Sequence, residues 1–210
     1  MCVNHLEIEG NSTINSEAIK ALSGISSGMN MLKINRQKVE SALSQNPYLK
    51  LVDIERRFPD TVVLHVYERE ERAVVEYLGA YIGVDENGTV LRTIVQPDPE
   101  ALVVSGMDVK GVASGEILQS EDKQKVESLC ALLQYLVASE RLDSVGAIQL
   151  EDTQNAALSL RSGYTLKLGQ VEELETKFIW VDTMLPVLAE KGLKTGTLNV
   201  TSSKNATYSP

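Results

Sequence analysis

The stretch Gly24-Ile25-Ser26-Ser27-Gly28 has the G-x-S-x-G spacing, which presents a nucleophilic serine when a strand runs into it and a helix runs out. Here a helical pattern leads in, and the two histidines that could act as base, His5 and His65, fall in strand-like segments. The segment therefore reads as a loop joining two helices. Glu68, Glu70 and Glu71 are close enough in sequence for a general acid–base pair. Arg69 and Arg72 interleave with them, so the group reads as a solvated strand end with local ion pairing. Asp85-Glu86-Asn87-Gly88 opens like a calcium loop but lacks the downstream ligands and closing glutamate; Asn-Gly is better explained as a hairpin turn that needs positive φ. Cys2 lies at the start of the chain and Cys130 on an apolar helical stripe, which suits neither a disulfide framework nor a metal site. Cys130 reads as a small buried hydrophobe, and Met29 and Met31 as apolar residues folded over a small core. No glycine-rich phosphate loop follows a strand. The expectation is no catalytic residue, no metal and no cofactor.

The elements that position these residues follow from hydrophobic period. Asn4, Leu6 and Ile8 alternate with His5, Glu7 and Glu9 in a first strand that ends at Gly10-Asn11. A short helix capped by Ser16 carries Ala18, Ile19 and Leu22, and a second capped by Asn35 carries Val39, Ala42 and Leu43. Two strands follow, with Val52, Ile54 and Phe58 on one face of the first and Val62, Leu64 and Val66 on one face of the second; Pro59-Asp60 turns between them. The order β-α-α-β-β over about 70 residues is enough for a small domain. Strands are then expected at 73–78, 81–84 and 89–95. A helix starts at Ser120 with the stripe Val126, Leu129, Cys130, Leu133, Leu136 and Val137. Strands at 145–150, 156–161 and 164–168 precede a long helix bearing Leu174, Phe178, Val181, Leu185 and Leu188, in which Pro186 predicts a kink or early end. A last strand covers 195–201, and 202–210 is a polar tail.

The chain has 210 residues, 43% of them hydrophobic and 23% charged, an ordinary globular composition. Its net charge of −9, carried almost wholly by residues 71–210, argues against nucleic acid, whose phosphates demand clustered Lys and Arg. No run approaches the ~20 apolar residues of a membrane span.

Several motifs occur in a telling order. Leu6-Glu7-Ile8-Glu9-Gly10-Asn11 resembles the opening I-x-V-x-G-N strand of POTRA domains, and Gly28-Met29-Asn30-Met31 the segment before their second helix. Asn46-Pro47-Tyr48-Leu49 is similar to the helix exit, and Arg57-Phe58-Pro59-Asp60-Thr61 with Val66-Tyr67-Glu68-Arg69 to R-x-P-x-T … V-x-E-R. In the second half, Val84-Asp85-Glu86-Asn87-Gly88-Thr89-Val90-Leu91 resembles the V-D-x-x-G-x-V-L turn of the FtsQ/DivIB β domain. Val103-Val104-Ser105-Gly106 is similar to a further segment of it without its proline. Leu166-Lys167-Leu168-Gly169 before a long helix, then Gly196-Thr197-Leu198-Asn199-Val200, resembles its closing helix and strand.

The resemblance implies an α+β chain: an N-terminal POTRA domain (1–70), a mixed-sheet β domain with two long helices (71–201) and the tail 202–210. It implies the extracytoplasmic part of a non-enzymatic bacterial division scaffold linking early and late division proteins, with FtsB/DivIC-type and FtsL-type partners, no nucleic acid and no small-molecule substrate. That family places a cytoplasmic tail and one membrane helix ahead of the POTRA domain. Neither is present in this sequence, so a piece of a membrane-anchored protein is expected, with Met1 an addition. The expected partner site is Gly196, Thr197, Leu198, Asn199, Val200, Thr201 and Ser202, a final strand at a sheet edge that can pair with a partner strand. Three rivals remain. One is a POTRA-type chaperone module for outer-membrane or secreted proteins, though only one repeat is present. The others are a hydrolase using Ser26 and a small-molecule sensor.

Overall fold

The computed structural model describes residues 1–210, which divide into two compact units, 1–70 and 71–210. In the first, β1 (His5–Glu9), α1 (Ser16–Ser23), α2 (Arg36–Leu43), β2 (Leu49–Arg57) and β3 (Thr61–Glu68) give the β-α-α-β-β order. The sheet runs β1-β3-β2, with β1 parallel and β2 antiparallel to β3. Ile19, Val39 and Leu43 of the helices share one core with Leu49, Leu51, Ile54, Val62, Leu64 and Val66 of the sheet. Asn15, one residue earlier than expected, caps α1 by accepting from the Glu17 amide, while Asn35 caps α2.

The inward face of β2 also differs from expectation. A bulge between Leu51 and Asp53 inserts Val52 as an extra residue and turns it outward, leaving it 51% exposed. Simple alternation fails across a bulge, so Leu49, Leu51 and Ile54 face the core, and Phe58 beyond them is exposed.

The second unit contains β4 (Ala73–Tyr77), β5 (Ala80–Val84), β6 (Val90–Ile94), β7 (Val103–Ser105), β8 (Val109–Gly111), β9 (Gln119–Ser120), α3 (Lys123–Ala138), β10 (Val145–Gln149), β11 (Ala156–Leu160), β12 (Tyr164–Gly169), α4 (Leu174–Glu190), β13 (Gly196–Asn199) and β14 (Thr207–Ser209). Nine of these strands form a mixed sheet in the order β14-β13-β12-β11-β10-β7-β4-β5-β6, while β8 and β9 pair separately. Leu129, Leu132, Leu133 and Leu136 of α3 and Leu174, Phe178 and Val181 of α4 join Val75, Val104, Ile148, Leu158, Leu166 and Leu198 of the sheet in one core.

Both helices depart from expectation. Asp122 is the cap of α3 rather than part of its first turn, because its side chain accepts from the Gln124 amide. The buried stripe takes in Lys125 and Leu132, and Cys130 is only half-buried. α4 continues through Pro186 to Glu190. Pro186 and Asp182 both lie on the exposed side, so the missing amide falls where water can serve the freed carbonyl. No helix is long and apolar enough to cross a membrane.

Candidate functional site

The residues with catalytic potential are dispersed into structural roles. Ser26 is exposed in the loop that follows α1, with no strand leading in. His5 lies 4.0 Å from Asp60, and His65 stands between Glu55 (3.1 Å) and Glu9 (3.4 Å) on the charged face of the first sheet. The three glutamates part company too. Glu71 pairs with Arg92 at 2.6 Å in the second unit, whereas the Glu68 carboxylate accepts from the backbone amides of Ser12, Thr13 and Ile14 in the first. Burial pushes the Glu68 carboxyl up, but those three amides outweigh it and hold the group below its ordinary value. No group of three or more His, Cys, Asp or Glu side chains is placed to hold a metal. Asp85 closes its own turn, accepting from the amides of Asn87 (2.9 Å) and Thr89 (2.7 Å). Met31 is fully buried in the first core. Burial first, then Asp85, raises the Cys130 thiol to about 11, so it is neutral at pH 7.

The recurring motif residues thus do mechanical work. Gly10 has φ +93°, and a Cβ there would lie 2.0 Å from the Val66 carbonyl oxygen, so only glycine fits. Arg69 donates to the carbonyls of Pro47 and Leu49, both at 2.9 Å, fastening the α2 exit to the end of β3.

Two buried lysines escaped the sequence reading. Lys125 donates to the Gly106 carbonyl and the Asp108 carboxylate (2.7 and 2.6 Å), and Lys177 to the carbonyls of Leu168 and Gln170 (2.8 and 2.7 Å). The signal for Lys177 was its place between Leu174 and Val181 on the apolar stripe of α4. Desolvation lowers its pKa.

The expected partner strand is placed differently from the reading. Gly196–Asn199 is β13, and it is not an edge: it pairs in parallel with β12 (Thr165↔Thr197, Leu166↔Leu198) and antiparallel with β14 (Leu198↔Tyr208, Asn199↔Thr207). Leu198 and Val200 are fully buried, while Thr197 and Asn199 face the other side and are half-buried. Thr201 and Ser202 lie in the turn beyond, where the Asn199 side chain accepts from the Thr201 amide. The tail is therefore partly ordered. Ala206 and Tyr208 pack on the core, the Tyr208 hydroxyl donates to the Thr195 carbonyl (2.7 Å), and Trp180 donates to the Ser203 carbonyl (3.0 Å). What stands at this end of the sheet is β14, three residues long, with Thr207 and Ser209 exposed.

The sequence pattern of the FtsQ-type POTRA domain matches residues 1–69. Residues 1–69 are an FtsQ-type POTRA domain. Along most of its length the chain is similar to FtsQ and DivIB proteins. It is 26% identical over 190 residues to the cell division protein FtsQ of Syntrophotalea carbinolica, an alignment covering 89% of this chain and 66% of that one. With the cell division protein DivIB of Clostridium tetani it shares 25% identity over 205 residues, covering 97% of this chain and 77% of the relative. Among solved structures, the major extracytoplasmic domain of DivIB from Geobacillus stearothermophilus matches at a TM-score of 0.37 and 14% identity, over 59% of this chain and 96% of that one. The chain thus spans 66% of the length of the FtsQ relative.

Proposed function

We propose that this chain is the extracytoplasmic part of a bacterial cell-division protein, a non-enzymatic scaffold that links early and late division proteins through protein–protein contacts. In this reading its partners are FtsB/DivIC-type and FtsL-type proteins, and a membrane helix preceding the POTRA domain anchors it at the outer face of the cell membrane. The similarity to FtsQ and DivIB supports the process. The observation that carries the mechanism is the end of the nine-stranded sheet. There β13 is firmly built into the core while the strand beyond it is three residues long and largely exposed. A sheet that ends so thinly offers backbone donors and acceptors to an extended partner segment. The docking residues in this reading are Gly196–Ser202, second from the end of the sheet, with Thr197–Asn199 paired to β14.

A binding titration with the soluble extracytoplasmic segment of an FtsB/DivIC-type protein tests this. The 210-residue chain should bind it, and residues 1–70 alone should not. Equal binding by residues 1–70 would move the partner site to the POTRA domain and contradict the assignment.

A further inference from the structure

Resting on the docking reading above, the geometry of the last two strands points to a built-in placeholder. We propose that Ser203–Ser209 occupies in cis the edge of β13 that the partner strand takes in trans, so that docking requires β14 to leave.

The two strands are held very differently. β13 buries Leu198 and Val200 completely, pairs with β12 from Gly196 to Asn199, and is extended by the Val200 amide donating to the Lys167 carbonyl. The ladder with β12 and the Val200 bond do not involve β14, so β13 remains anchored on its β12 side when β14 leaves. β14 has three paired positions, of which only Tyr208 is half-buried, and beyond the ladder it is held by the packing of Ala206 and Tyr208 and by the Tyr208–Thr195 and Trp180–Ser203 hydrogen bonds. Short, exposed, sparsely packed segments open at a small fraction of the global unfolding free energy.

Gly196 shows what the edge accepts. Its φ is +138°, and a Cβ there would sit 2.6 Å from Cε2 and 2.7 Å from the hydroxyl of Tyr208, so the tyrosine ring lies directly on a residue without a side chain. The seat therefore fits an antiparallel extended segment with a tyrosine-like ring flanked by small residues, as Tyr208 is by Thr207 and Ser209. A partner strand of that chemistry competes for the same place.

Two variants test this. Thr197→Cys with Ser209→Cys, in a Cys2→Ser background, joins residues that face each other across the two strands. Oxidised, it should bind the FtsB/DivIC-type segment about tenfold or more weakly than the same protein reduced, since the competent state is locked out. Conversely, a chain ending at Ser202 should bind that segment about tenfold or more tightly than the full chain. It should also capture a labelled peptide of this chain's own Ser203–Pro210 sequence, which the full chain should exclude. If the partner binds the full chain but neither the lock nor the truncation alters its affinity, β14 is not a placeholder, although docking on this sheet still stands. Failure of the truncated, folded chain to capture its own peptide overturns the placeholder as well. If the partner binds no form while the peptide is captured, the docking reading fails and with it the displacement by that partner.

Discussion

Glu68 and Phe178 show how much single side chains carry in each unit. Glu68 fills a nest of three amides, and its folded pKa lies below the ordinary value. The sign follows from linkage: a depressed carboxyl pKa contributes stability that is complete above the unfolded value, about 4.3. That stability is lost as pH falls through the lower, folded value. Glu68→Gln should therefore lower the melting temperature more at pH 7 than at pH 3, so the two pH profiles converge on the acid side; parallel profiles would show that the nest gains nothing from the charge. Phe178 is 3% exposed, with the Tyr135 ring at 5.0 Å between centroids and the Arg141 guanidinium 5.3 Å above its own ring. Asp182 holds that arginine in place with two bonds of 2.7 Å. Phe178→Ala should cost about 3–5 kcal/mol in a denaturant melt, the usual range for a buried aromatic truncation. A loss under about 1 kcal/mol would place Phe178 among surface residues in effect.

Among the elements, α4 tolerates an interior proline because the position faces water. Proline still removes a bond and strains the preceding turn, so Pro186→Ala should stabilise the protein by about 1–3 kcal/mol. An unchanged or lower melting temperature would mean that the proline is accommodated at no cost. The same reasoning limits which variants can probe the proposed docking strand. Val200 donates its amide to Lys167 and Asn199 pairs on both sides, so a proline at either position attacks the fold as well as any partner. The β-α-α-β-β order and the two long helices were legible because the hydrophobic period switches between 2 and 3.6 at their boundaries. Other features were not, the short strands β7, β8 and β9 among them. The Val52 bulge breaks alternation without leaving a mark in residue type, and the true start of α3 lies beside two capping-competent residues, Ser120 and Asp122. β14 and the residue before it offer only Ala206 and Tyr208, two residues apart, as an apolar face, too short a pattern to distinguish from a tail. The strand proposed for docking was singled out by resemblance, but its covered edge could be seen only in three dimensions.

The whole molecule consists of two units with separate cores, one built on Ile19, Val39 and Leu64, the other on Leu133, Phe178 and Leu198. With its own core and internally satisfied motif residues, the segment 1–70 should fold when expressed alone, giving a cooperative melt and a dispersed amide spectrum; a non-cooperative melt would show that it depends on the remainder. The second unit carries nearly all the net negative charge and the proposed docking end. The most direct test of the scaffold reading is amide hydrogen exchange of the full chain with and without a soluble FtsB/DivIC-type segment. Exchange should change at residues 196–209, slowing along 196–199 and quickening along 207–209, with α1 and α2 unaffected. No change in 196–209, with new protection confined to other surfaces, would contradict it.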